Sequence, residues 1–192
     1  MPDLSSATAT VARVVVGIDD GQLGAATPCE GATVADLLDH LDGLAAAFTF
    51  AARKDLAEGS QAPSPDGSRL TPDWRTRIPE RLAGLASGWR DAGAWTGMTR
   101  AGGIDMPAEV AGSVAINEVV VHGWDIAVAT GQEYTAEPEI VEAALAFVQP
   151  TAAQSPDGTP GLFGPPVPVP DDAPLLARLL GLTGRDPGWK RP

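Results

Sequence analysis

The segment NEVVVHGWD, residues 117–125, places a carboxylate and an imidazole four residues apart inside a stretch that otherwise reads as apolar and helical. Positions four apart on an α-helix are neighbours on one face. On that face Glu118 and His122 lie with Ala111, Val114, Ala115, Ile126 and Ala129, so both are expected on the core side of the helix. An ionised carboxylate taken out of water without compensation costs several kcal/mol. A chain that folds this way must bring a compensating group to Glu118.

Helical periodicity runs through most of the sequence. Residues 5–20 carry Val11, Val14, Val15 and Ile18 at helical spacing, with serines at 5 and 6 able to cap. Thr33 and Asp36 resemble a capping box opening a second helix, about 33–55, whose stripe Leu37, Leu41, Leu44 and Phe48 includes His40. Residues 58–72 have loop composition. Thr71-Pro72-Asp73 then opens a third helix that runs to about Trp89 or Gly93, with Ile78, Leu82, Leu85 and Trp89 as its apolar face. The glycines of 94–104 predict an extended link. A fourth helix follows Asp105-Met106-Pro107 and stops at about Thr130, before Gly131, and a fifth covers 136–149. From Pro150 to Pro170 the proline and glycine density argues against long regular structure, with a short helical piece near 173–182. The expected fold is all-α: a helical bundle with a Pro/Gly-rich C-terminal wrap over 151–192.

The chain of 192 residues suits one domain, 1–192, with a substantial core. Its formal charge of -12 repels phosphate backbones, and its densest basic group, Arg75, Arg77 and Arg81, is diluted by Glu80, so nucleic acid is not an expected partner. No run of about 18 apolar residues predicts a membrane span. The single cysteine, Cys29, cannot form an internal disulfide, and Met1-Pro2-Asp3 lacks the features of a secretion signal. A cytoplasmic protein is expected, as monomer or homodimer.

A divalent ion is one group able to offset the cost of burying Glu118, because it favours a charged carboxylate and a neutral imidazole together. His40, the only other histidine, supplies a third ligand if the two helices are adjacent. Two nitrogens and one oxygen leave positions for water or substrate, the pattern of catalytic zinc and of several non-haem iron sites. Asp36, four before His40, and Asp125, three after His122, are placed to accept a hydrogen bond from a ligand imidazole or to contact a bound water. Spacing alone leaves two alternatives open: a solvated Glu–His pair, and a core histidine satisfied among leucines. Cys29 reads better as a small buried hydrophobe than as a nucleophile. No arginine stands beside these helices in sequence to clamp a substrate carboxylate; Arg100 and Arg53 could reach one, but each reads better as a solvated arginine. No glycine loop of phosphate-binding spacing is found, so no nucleotide cofactor is expected.

Two stretches, TPCEGATVADLLDHLDGL at 27–44 and NEVVVHGWDIAVATGQ at 117–132, resemble the paired motifs of the DinB/YfiT-like superfamily, in the branch related to mycothiol-dependent maleylpyruvate isomerase. The tail 162–189 is similar to a C-terminal feature of one actinobacterial group in that branch. The resemblance implies a DinB-like four-helix bundle, up-down-down-up, holding a divalent metal through His40, Glu118 and His122, with zinc expected first and nickel or iron as alternatives. It also implies a low-molecular-weight thiol such as mycothiol as co-substrate, and a transferase or isomerase acting on a small electrophile. A metal-dependent hydrolase using Asp36 or Asp125 as proton acceptor is one rival. A non-catalytic, metal-stabilised binding or stress protein is the other.

Overall fold

The computed structural model describes residues 1–55, 64–159 and 161–191. Of the expected loop 58–72, residues 58–63 lie outside the described part. The helices are α1 (Ser5–Val16), α2 (Val34–Arg53), α3 (Trp74–Trp89), α4 (Ala108–Ala129), α5 (Pro138–Gln154) and α6 (Leu175–Leu182), with one two-stranded hairpin, β1 (Met98–Ala101) and β2 (Ile104–Pro107). Among the described residues no helix is long and apolar enough to cross a membrane.

Helices α1–α4 form the bundle, packed in the ring α1, α3, α2, α4. Their directions follow from cross-helix contacts. Arg77 Nη2 meets Asp42 at 3.0 Å and Trp89 Nε1 donates to the Phe48 carbonyl at 3.0 Å, so α2 and α3 run parallel. Arg90, just past α3, donates to Ser5 at the start of α1, while Arg75 reaches Asp20 beyond its end, making α1 and α3 antiparallel. Gln132, just past α4, donates to Val14 near the end of α1, so these two are parallel. The result is the up-down-down-up bundle. Helix α5 packs outside on α4, and α6 on α5.

Helix α4 is therefore covered on nearly every side, and 117–127 is buried without a break. Gly123 allows this packing: a methyl there would overlap Val11 Cγ2 and approach Tyr134 to 3.0 Å. Helix α4 ends at a left-handed Gly131 (φ 74°), with the Gln132 amide donating to the Ala127 carbonyl at 2.8 Å.

Local chemistry accounts for the departures from expectation. Helix α1 stops at Val16, not residue 20, because Asp19 closes a capping box around a short 3-10 turn, Asp20–Gln22. Its entry is held by Asp3, whose carboxylate accepts from the Ser5 amide and hydroxyl, and not by a serine cap. The link at 94–104 is partly a hairpin, turned by Gly102 and Gly103 with both φ positive (58° and 79°), the signature of a tight two-residue hairpin loop. Helix α5 continues through Pro150 to Gln154. Its last turn is anchored by buried Val148 and Ala152 and by the Thr151 hydroxyl on the Phe147 carbonyl.

At α2 the expected cap forms. Thr33 Oγ1 accepts from the Asp36 amide, and Asp36 Oδ2 accepts from the Thr33 amide and hydroxyl at 2.8 and 2.6 Å. Its other oxygen accepts from the Gly67 amide at 2.6 Å, tying the loop before α3 to this helix start. These bonds hold the Asp36 carboxyl below the usual carboxylate range. In urea denaturation Thr33→Ala and Asp36→Ala are each expected to cost about 1 kcal/mol, the ordinary worth of such a cap. Divalent-metal content should stay at the wild-type level in both; a loss in Asp36→Ala would place that residue at the site and not at the helix end.

Candidate metal centre

Antiparallel packing of α2 against α4 brings His40, in the second turn of one, beside Glu118 and His122, two successive turns of the other. His122 Nε2 lies 3.1 Å from Glu118 Oε2, and His40 Nε2 lies 3.6 Å from the same oxygen. The imidazoles stand edge to face, centroids 5.0 Å apart at 86°. One donor atom from each of the three residues lies within 4.8 Å of the others. A tetrahedral ion with bonds of about 2.0–2.2 Å to nitrogen and oxygen needs donors roughly 3.3 Å apart. The two distances to Glu118 bracket that value and the imidazole donors lie within 4.8 Å of each other, so the donor set has the chemistry for a divalent ion and lies near the spacing one needs.

Burial by itself would raise the Glu118 pKa, but His122 and His40 beside it hold the carboxyl well below its usual range. Burial would likewise lower His122, yet hydrogen bonding to Asp125 and Glu118 pushes its imidazole up to about 9. Without an ion, a proton on His122 serves as the cation that Glu118 requires.

Behind His122 stands Asp125, fully buried, with Oδ2 3.1 Å from Nδ1. The sequence placed Asp125 here, and this contact directs the opposite nitrogen, Nε2, toward Glu118 and His40. Asp36, the other expected imidazole partner, is instead committed to the α2 cap: both of its oxygens are engaged by Thr33 and Gly67.

Arg185 is the residue that sequence reasoning missed. Its Nη2 and Nε lie 3.1 and 3.4 Å from the two oxygens of Asp125, and its Nη1 donates to the Thr183 carbonyl at 2.9 Å. It arrives through the end of α6, where Gly184 takes φ 81° and presses so close to Gly164 that a Cβ would sit 2.9 Å from the Gly164 Cα. No spacing rule connects positions 60 residues apart; the glycine after an apolar helical run was the available signal. Arg100 instead pairs with Asp105 across the hairpin, and Arg53 is exposed at the end of α2, so neither expected arginine reaches the centre.

The three donors line a cavity of about 810 Å³. Its walls include Leu44 and Phe48 from α2, Ile104 and Met106 from the hairpin, and Leu162 and Phe163 from the tail. Cys29 lines it too, half-buried, its sulfur within 4.8 Å of donor atoms of His122 and Asp125. It packs against the core as a small hydrophobe, as expected, but is only partly buried because one side faces the cavity. Burial pushes its thiol up against the pull of Arg185, which argues against an activated nucleophile.

Residues 4–127 match the family model described as the mycothiol maleylpyruvate isomerase N-terminal domain. Two uncharacterised proteins, from two strains of Mycobacterium tuberculosis, are each 25% identical over 175 residues, covering 91% of this chain and 91% of the relative. The crystal structure of a mycothiol-dependent maleylpyruvate isomerase shares 25% identity, with a TM-score of 0.55 over 77% of this chain and 68% of that one. A histidine-to-alanine variant of such an isomerase, 22% identical with a TM-score of 0.56 at the same coverage, shares the fold.

The Asp125–Arg185 pair has a measurable consequence. Arg185→Met leaves a fully buried carboxylate without its guanidinium, with only the His122 ring beside it, and is expected to destabilise the protein by about 3 kcal/mol in chemical denaturation. Asp125→Leu combined with Arg185→Met removes both charges and should recover part of that loss. Equal stability of wild type and Arg185→Met would show that the pair does not hold the tail.

Proposed function

The chain belongs to the mycothiol maleylpyruvate isomerase N-terminal domain family, and from that premise we propose that it is a thiol-dependent isomerase or transferase acting on a small electrophile. In this reading His40, Glu118 and His122 hold a divalent ion, zinc first among the candidates. The observation that carries it is the convergence of two imidazole nitrogens and one carboxylate oxygen on a cavity roomy enough for two small molecules. Bound there, the ion supplies a Lewis acid that keeps a low-molecular-weight thiol such as mycothiol ionised at neutral pH.

The chain's own residues do the rest. Asp125 accepts the Nδ1 proton of His122 and so fixes the tautomer, while Arg185 keeps Asp125 charged and in place. Leu44, Phe48 and Phe163 keep water from the thiolate, which strengthens every charge interaction in the cavity. The thiolate adds to an electrophilic carbon, forming a C–S bond and sending an electron pair onto the conjugated carbonyl. Rotation and loss of the thiolate complete an isomerisation; protonation of the carbon and release of the adduct complete a transfer. The hydrolytic rival is weakened, because both of its named proton acceptors are engaged: Asp36 in a helix cap, Asp125 between His122 and Arg185.

Protein purified without chelator is expected to carry about one divalent ion per chain, and His122→Ala to weaken ion binding by about 100-fold or more. Added mycothiol should be required for turnover of an electrophile, and His122→Ala should abolish it; turnover at full rate without any thiol would overturn the reading. Loading the ion must also expel the proton that His122 otherwise keeps up to about 9. Below that value apparent affinity should rise about tenfold per pH unit, and calorimetry in buffers of different ionisation heat should count about one proton released.

A further inference from the structure

We propose that the cavity selects an uncharged, apolar electrophile and turns away carboxylate-bearing ones; this rests on the thiol-dependent reading above and names its substrate class. All thirteen Lys and Arg residues of the chain fall within the described part. Among the described residues lining the cavity, Arg185 is the sole Lys or Arg. Its guanidinium is already committed, Nε and Nη2 to Asp125 and Nη1 to the Thr183 carbonyl.

To clamp a substrate carboxylate with the Nε and Nη2 edge that faces Asp125, Arg185 would have to leave a carboxylate that is 0% exposed and bonded to His122. The N–H groups left over on Nη1 and Nη2 belong to a guanidinium whose charge Asp125 already balances. An unpaired buried charge is among the costliest things a protein can create, so the exchange does not favour binding. Cations elsewhere are engaged as well: Arg69 with Asp39, Arg77 and Arg81 with Asp42, Arg100 with Asp105, and Lys54 with the Ala94 carbonyl.

The cavity's remaining charge points the same way. Glu118 and a thiolate together match a divalent ion, and Arg185 matches Asp125. Glu30, exposed on the wall, has no further Lys or Arg among the lining residues to balance it once Arg185 is paired with Asp125, and so adds negative charge there. A dianionic electrophile would meet like charge, and a neutral one meets the apolar faces of Leu44, Phe48, Ile104, Met106, Leu162 and Phe163.

The test uses the zinc-loaded full chain and two matched pairs of probes. Diethyl succinate and succinate cannot react and report the cavity alone, by ligand-observed NMR. Diethyl maleate and maleate report the reaction with mycothiol: the thiolate adds to the double bond, the C–C bond rotates, and thiolate loss restores the alkene as the trans isomer. No oxidant or net proton is consumed. Each rate is divided by the rate with mycothiol alone.

Diethyl succinate is expected to bind at least about tenfold more tightly than succinate, and the rate enhancement to favour the diester by about 100-fold. Ile104→Arg, which sets a cation on the exposed hairpin at the cavity rim, should narrow both gaps by about tenfold. Equal or tighter binding of succinate, a larger enhancement for maleate, or no binding of either succinate probe would overturn the inference. Diester-selective binding without thiol-dependent turnover would uphold the cavity's selectivity while removing the thiol-dependent reading.

Discussion

A carboxylate buried in the middle of a helical core is the condition to which the rest of this molecule answers. Glu118 lies on α4, which α1, α2, α5 and the hairpin cover so fully that the segment around it opens only onto the cavity. The cost of keeping that charge is met by two imidazoles from adjacent helices. The antiparallel approach of α2 to α4 is therefore an electrostatic requirement as well as a packing one. An ion satisfies it directly; a proton on His122 satisfies it in part, which is why burial and hydrogen bonding act in opposite senses on that ring.

The same condition explains why the C-terminal extension is part of the structure and not an appendage. Holding His122 by Asp125 moves a second carboxylate into the core, and this one is more deeply buried than the first. Arg185 answers it from beyond α6, in a backbone arrangement that depends on the left-handed Gly184 seated against Gly164. Tail, arginine, aspartate and histidine form one chain of contacts, so folding of the last segment and orientation of a candidate ligand are coupled. Buried pairs of this kind contribute little net stability against an apolar alternative, but losing one partner is severe. The pair thus imposes a specific closure of the tail.

Local signals made the helices and the triad legible. The capping box at Thr33, the stripe through His40 and the four-residue spacing of Glu118 and His122 each act within one turn. Asp36 carried two such signals at once, a cap to Thr33 and an i,i+4 relation to His40. The cap prevailed because the Thr33 amide and hydroxyl and the Gly67 amide together hold both of its oxygens at the helix start. The hairpin was hidden because the pair Gly102-Gly103 reads equally as link or turn until the strands around it pair. Pro150 looked like a stop, since nothing local reveals that Val148 and Ala152 are buried around it. Arg185 and Cys29 reach the centre only through tertiary closure, which no periodicity encodes.

The division between bundle and rim bears on how chains of this fold differ in what they accept. The candidate donor atoms come from α2 and α4, whose relative position the core fixes; the wall facing them comes from the hairpin and the tail, with Ile104 exposed and Phe163 packed into the core. Selectivity by charge must act through that wall. The chain's formal charge of -12 is spread over its surface and is screened beyond about 8 Å at physiological salt, so it cannot discriminate among molecules already inside. Inside, dielectric screening is weakest, so the presence or absence of one uncommitted arginine weighs most there on which charge a small molecule can carry. Here the one arginine on the wall is bound to Asp125, and the demand it meets there originates in α4 itself.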